Sequence, residues 1–371
     1  MRSIIFLDTR NAILNGGSDA LSRHDFYATR ARNESEDSEI KVFIYSREST
    51  RSTNLNELNE ISLVQITGSL INYILQVFRK LSKNSDGAIS IIAGDPWISG
   101  VSAIILRALL SLRKIECKVQ IQLHADICDP EWVRISAFNR IKKFIGLVVL
   151  PRADSIRFVS TTQMQLTCKS CDLTRQKLVV SPVYINLNKE NNSGRRKHPR
   201  SIALVGRIEK DRGVEFLPPL LRKLKKSVSE DFDLLIIGEG SRERLLRDEL
   251  ALIPDLNRIN FKGNMTQDEL SHEWEKVGVL LNLAPSESYG RTLREAVSYG
   301  IPVWSLPSSG FNELRGRYKV SWIKELNLAK SSQELALELE VLFTSETSLR
   351  IRDGLELDQE QNLATLVRSW L

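Results

Sequence analysis

Short β-branched apolar runs alternate with longer amphipathic stretches along most of this chain, and that rhythm restricts it to a parallel α/β architecture. Ile4–Leu7, Val42–Tyr45, Ser90–Ala93, Val119–Leu123, Ile156–Val159 and Leu178–Val180 have the length and content of buried parallel strands. Between them Leu70–Leu81, Val101–Leu112, Trp132–Leu150 and Thr161–Lys169 carry helical periodicity. The rhythm breaks from Asn188 to Arg200, a charged stretch nearly free of apolar residues. It resumes with Ser201–Val205, Leu234–Ile237, Arg258–Phe261, Val279–Leu283 and Val303–Ser305, and Gln333–Leu371 reads as mostly helical. At 371 residues the chain exceeds one ordinary core. The expected division is a domain over 1–187, a linker over 188–200, a second domain over 201–345 and a helical tail over 346–371. The fold class is α/β, with two Rossmann-like doubly wound domains and an interdomain cleft. Ligands then belong outside the carboxyl ends of the strands.

Composition narrows the classes. A hydrophobic content of 42% beside 26% charged residues excludes a disordered chain. No apolar run approaches the roughly 20 residues that span a bilayer. The start, Met1 to Asp8, has too short an apolar part for a secretion signal and no small-residue cleavage site, so the expected compartment is the cytosol. Four cysteines suggest reduced thiols. Cys168 and Cys171 have metal or redox spacing, but no second pair completes a zinc site, and no metal is expected. The net charge of +6 and pI near 9.1 favour anionic partners. Nucleic acid is not among them, because no recognition module and no interleaved aromatics accompany the basic residues.

Four turns in the second half fall at strand ends. Gly206-Arg207-Ile208-Glu209-Lys210-Asp211-Arg212-Gly213 sets two arginines beside two glycines, a pattern able to fork around phosphate oxygens. Alone it equally fits a solvated loop. Gly238-Glu239-Gly240 permits close ligand approach, and Lys262-Gly263-Asn264-Met265 can meet a base edge through backbone groups. Ala284 to Ala296 joins a strand to a helix through Glu287, Ser288, Tyr289, Gly290, Arg291 and Thr292. Backbone N–H groups at such a helix start suit a diphosphate. Glu295, one and a half turns further on, can accept sugar hydroxyls. Alone, Glu287 and Glu295 fit as well a capping acid and an unrelated surface acid.

Taken in order, Gly206-Arg207 with Arg212-Gly213, Ile236 to Gly240, Phe261-Lys262-Gly263, Glu287 to Gly290 with Glu295-Ala296, and Gly300 to Val303 are similar to retaining glycosyltransferases of family 4. The resemblance covers roughly residues 201–315 and implies the GT-B fold. It implies that Arg207 and Arg212 hold the diphosphate, Glu295 the ribose hydroxyls, and that Glu287 lies beside the transferred sugar. The first half resembles the family more loosely. Asn15-Gly16-Gly17-Ser18 resembles its acceptor-side glycine pair, and Gln122 to Asp126 its strand-end histidine facing the donor sugar. Ala153 to Ser160 and Val180-Ser181-Pro182 also match. His124 by itself fits a metal ligand or a core histidine as well; its strand-end place favours the cleft. The family usually has lysine where Arg212 stands, and its glycine-rich turn and acid survive only as Ser309-Gly310-Phe311-Asn312-Glu313.

The expected activity is retaining transfer of a sugar from a nucleotide sugar to a saccharide or lipid-linked hydroxyl, and the resemblance alone implies its setting, cell-surface polysaccharide or glycolipid synthesis. Arg207, Arg212 and the amides around Tyr289–Thr292 would stabilise charge growing on the β-phosphate. Glu287 would position rather than attack. The alternatives are a non-catalytic nucleotide-sugar-binding scaffold subunit and a GT-B epimerase or phosphorylase. Phe138 to Leu150 mixes basic and large apolar residues, so peripheral association with the inner face of a membrane is a second expectation beside ordinary packing on the sheet.

Overall fold

The computed structural model describes residues 2–9, 13, 19–35, 38–46, 61–83, 87–185, 187, 199–254, 256, 258–347 and 350–371. Gly16, Gly17 and most of the 188–200 stretch lie outside these residues. The chain forms two units, 1–128 with 136–184 and 360–371, and 129–135 with 185–359.

The first unit holds seven parallel strands: β1 (Arg2–Asp8), β2 (Ser38–Ser46), β3 (Ser62–Thr67), β4 (Ile89–Ala93), β5 (Cys117–Leu123), β6 (Ser155–Phe158) and β7 (Lys177–Val180). Their order is β3-β2-β1-β4-β5-β6-β7, so the direction of winding reverses between β1 and β4. The first-half helices are α1 (Asp19–Glu34), α2 (Leu70–Lys83), α3 (Ile98–Leu112), α4 (Pro130–Ile135), α5 (Ala137–Val149) and α6 (Thr161–Ser170). Strand alternation sorts the core. Ile4, Phe6, Val42 and Ile44 pack with α1 and with Leu366 and Trp370 at the chain's end. On the opposite face Tyr73 of α2 donates to the Phe43 carbonyl at 3.0 Å. Gly100 of α3 sits against Val149 and Ile121, close enough that a Cβ there would meet Val149 at 3.3 Å.

The second unit carries β8 (Ser201–Val205), β9 (Asp233–Ile237), β10 (Ile259–Gly263), β11 (Val279–Asn282), β12 (Val303–Ser305) and β13 (Ile323–Glu325), all parallel, in the order β10-β9-β8-β11-β12-β13. Its helices are α7 (Leu217–Leu224), α8 (Glu243–Ala251), α9 (Gln267–Glu273), α10 (Arg291–Ser298), α11 (Ser309–Tyr318) and α12 (Ser332–Phe343); α13 (Arg350–Arg368) begins here and ends in the first unit. Period-two patterning again divides the sheet. Ile202, Leu204, Leu234, Ile236, Val279 and Leu281 face one cluster, while Ala203, Leu235, Leu280 and Val303 face the other. Winding reverses between β8 and β11, and a doubly wound sheet opens a crevice at such a reversal.

Trp132–Leu150 is not one helix: it breaks at Ser136, whose side chain accepts the Asn139 amide at 3.1 Å and so starts a new helix. The strands β3 and β13 were not foreseen. Both lie at sheet edges, where β3 is only partly buried and β13 has three residues, too few to show a period.

Candidate functional site

The reversal between β8 and β11 gathers the informative turns of the second half. After β8, Gly206 adopts φ +138° and its amide donates to the Ile237 carbonyl at 2.9 Å. Residues Lys210–Arg212 form a single 3-10 turn closed by Gly213 at φ +66°. A Cβ on Gly213 would stand 2.0 Å from the Leu283 carbonyl oxygen, so only glycine lets this loop press against the end of β11. That approach brings Arg212 to Glu287, 75 residues away, where a guanidinium NH donates to the carboxylate. Arg212 is 37% exposed, yet its Nε is buried without a hydrogen-bond partner. Arg207 is 61% exposed and pairs at 2.7 Å with Asp211, one turn along its own loop.

The neighbouring turns stack on this loop. Gly238 has φ +130°, its amide donates to the Gly263 carbonyl at 2.7 Å, and a Cβ on it would lie 2.0 Å from the Gly206 carbonyl oxygen. The Ile208 amide donates to the Glu239 carbonyl at 2.8 Å, and the Glu239 carboxylate accepts the Asn264 amide at 3.2 Å. The Glu209 carboxylate accepts the Ser241 hydroxyl at 2.6 Å and its amide at 2.8 Å, which holds Glu209 below the usual carboxylate range.

After β11 the acidic turn is locked from below. The Glu287 carboxylate accepts the Gly290 amide at 3.3 Å, and its carbonyl accepts the Gly310 amide at 2.6 Å. Gly290, at φ +74°, starts α10 with no side-chain cap. Arg294, which sequence reasoning passed over, is buried beneath. Its guanidinium donates to the Tyr289 carbonyl and lies 3.8 Å from the Tyr289 ring centroid. Its only sequence signal is a charged residue on the inward side of an amphipathic helix.

A shallow, solvent-open pocket is lined by Gly206, Arg207, Arg212, Glu287, Gly290 and Thr292, with Leu204, Leu281 and Leu293 at its floor. Its mix of apolar floor with a few polar groups suits a small ligand. Gly238, Gly263 and Asn264 join it indirectly through the stacked turns, and Met265 is half-buried beyond them. Ser288, Tyr289 and Arg291 are not part of the lining. Neither is Glu295, which is buried on the flank of α10 with Arg291 at 3.7 Å.

The remaining candidates belong to the first unit, after β5. The side-chain oxygen of Gln122 accepts from buried Arg157 at 3.1 Å and lies 3.2 Å from Nε2 of His124. An amide oxygen cannot donate, so Nε2 carries the proton. Asp126 is buried close by in sequence. At this sheet's own reversal, Asp95 accepts the Ser99 hydroxyl and the Trp97 amide, both at 2.7 Å; burial pushes its carboxyl up. Among the described residues no group of three or more His, Cys, Asp or Glu is placed to hold a metal ion.

Residues 187–350 match the family model described as Glycosyl transferases group 1. The UDP-N-acetylglucosamine–peptide N-acetylglucosaminyltransferase GtfA subunit of Streptococcus pneumoniae is 30% identical over 128 residues, 34% of this chain. The match takes in 24% of that relative's length. Among solved structures, the apo form of the lipopolysaccharide outer core galactosyltransferase WaaB superposes with a TM-score of 0.70 at 16% identity, covering 99% of this chain and 98% of that one. Sucrose-phosphate synthase from Thermosynechococcus elongatus gives 0.65 at 14% identity, with 99% and 100% covered. At such identities these two similarities establish the fold, the GT-B pair of Rossmann-like sheets, over essentially the whole chain. On that fold, residues 187–350 form a domain similar to the glycosyl transferases group 1 family.

Proposed function

We propose that this protein is a retaining glycosyltransferase that moves a sugar from a nucleoside-diphosphate sugar to a hydroxyl of a saccharide or lipid-linked acceptor. The observation that carries this reading is the pocket at the β8–β11 reversal, where Arg212 meets Glu287 in front of the start of α10. Arg207 and Arg212 are assigned to the diphosphate, with the amides at the start of α10 beside them. As the bond from the anomeric carbon to the β-phosphate oxygen breaks, its electron pair stays on that oxygen, where these groups stabilise it. The acceptor hydroxyl forms the new bond on the same face and passes its proton to the departing phosphate. No side-chain base is required. Glu287 positions Arg212 and the sugar. Glu295 is assigned to the ribose, and the turns carrying Gly238, Gly263, Asn264 and Met265 to the base. His124, Asp126, Gly16 and Gly17 are assigned to the donor sugar and acceptor side on the family resemblance alone.

The relative's name gives a UDP sugar as its donor, so UDP heads the nucleotides to test. The galactosyltransferase's name places that protein in lipopolysaccharide outer core synthesis, which supports a role in cell-surface polysaccharide or glycolipid synthesis here, whereas the relative's name gives a peptide as its acceptor. The reading places the work in the cytoplasm, with peripheral attachment to a membrane that holds the acceptor. Among the described residues no helix is long and apolar enough to cross a membrane.

A thermal-shift screen of UDP, GDP and ADP, then their sugars, tests the assignment, followed by proton NMR of the product's anomeric centre. Stabilisation by one diphosphate, slow donor hydrolysis and a retained anomer are expected. Nucleotide binding with no hydrolysis or transfer would instead identify a scaffold subunit. An inverted product would remove the retaining mechanism.

A further inference from the structure

Three neighbouring helices of the first unit turn apolar residues outward. The crossovers through α2, α3 and α5 all step the same way along the sheet, so their right-handedness puts the three helices on one face. There α2 packs beside α3, and α3 beside α5. On α2, Ile71 (71% exposed) and Leu75 begin a line that continues, every fourth residue, into exposed Arg79 and Lys83. On α3 the exposed apolar residues are Ile98, Ile105 and Leu112, spaced by seven and therefore on one side. On α5 they are Phe138, Ile141, Phe144 (69% exposed) and Val148. These nine are most of the fourteen large exposed apolar residues among the described residues, a concentration that single scattered leucines would not produce.

Charge on the same helices has one sign. Their sequences contain no Asp or Glu, against seven Lys and Arg. Arg107 is engaged by Asp154 at 2.9 Å, but Arg79, Lys80 and Arg140 are exposed beside the apolar stripes. The Lys142 ammonium stands 4.6 Å from the Trp97 ring centroid and 4.9 Å from that of Phe138, an amine riding over apolar rings.

We infer that this face docks the protein on an anionic lipid bilayer. Its apolar side chains enter the boundary of the acyl region while the basic ones meet lipid phosphates. The inference deepens the glycosyltransferase reading by naming the surface that faces the acceptor's membrane, and it rests on that reading only for its purpose. The full chain is sedimented with vesicles of phosphatidylcholine alone or mixed with phosphatidylglycerol. Binding to the anionic vesicles should exceed binding to neutral ones by about tenfold and weaken with salt. Phe138→Ser with Phe144→Ser, and separately Lys142→Glu with Lys143→Glu, should each lower it by about tenfold or more. Thermal melts and nucleotide affinity of the variants should match wild type, since all four residues lie outside the nucleotide pocket. Absence of binding to anionic vesicles, equal binding to neutral ones, or indifference to both double variants would overturn the lipid surface. Self-association abolished by the same variants would assign the face to a second copy instead. Loss of nucleotide affinity in the wild type would strike the functional reading while leaving vesicle binding to stand.

Discussion

Arg212 and Glu287 share a charge-assisted hydrogen bond across the pocket, so each can be perturbed with an opposite expected sign. If the guanidinium grips a diphosphate, Arg212→Ala removes a hydrogen bond to a charged group, about 1.5–3 kcal/mol. At roughly 1.4 kcal/mol per decade, the dissociation constant for the nucleoside diphosphate should rise about 10- to 150-fold. Glu287→Gln does the reverse. It removes a like charge from beside the phosphates and releases Arg212 from its present partner. For unit charges roughly 6 Å apart at an effective dielectric of about 40–80, which discounts for the partial exposure of both groups, the relief is about 0.7–1.4 kcal/mol. Diphosphate binding should therefore tighten about three- to tenfold in Glu287→Gln while sugar transfer falls. Isothermal titration with the preferred nucleoside diphosphate reads both effects, and a transfer assay separates binding from turnover. An unchanged dissociation constant in Arg212→Ala refutes the phosphate assignment. Weakening in Glu287→Gln would mean that the carboxylate, rather than the arginine, meets the ligand.

Two further outcomes follow from the packing. Gly238→Ala puts a Cβ 2.0 Å from the Gly206 carbonyl at φ +130°, so it should cost at least about 2–3 kcal/mol and lower the melting temperature by several degrees, with nucleotide affinity falling as the stacked turns separate. A melt and affinity equal to wild type would show that these turns are not coupled. The Arg200 guanidinium grips Glu340 at 2.7 Å through two nitrogens and holds its carboxyl below the ordinary 4.5. A lowered folded-state pKa stabilises above the unfolded value and is lost as pH falls through the folded one. Wild type should therefore lose stability more steeply than Glu340→Gln below about pH 4.5, and parallel acid limbs in denaturant melts would contradict the pairing.

The four strand-end turns and the α/β rhythm were legible because each depends on local pattern: glycines where backbones approach, period-two runs, and polar stretches between them. Edge strands such as β3 and β13 left too weak a pattern, and Ser136 split a helix because its hydroxyl competes locally for a backbone amide. Which turn touches which was beyond the sequence. Arg212 and Glu287 meet only because β11 inserts beside β8 and Gly213 leaves room against Leu283. Arg294, which no local pattern singled out, is buried under the Tyr289 turn, and Glu295 is buried beside Arg291 outside the pocket lining. The outward stripes of α2, α3 and α5 became one surface only when the sheet put those helices side by side. Periodicity along a chain says which side of an element is apolar. What that side meets depends on strand order, which is settled by contacts between residues distant in sequence.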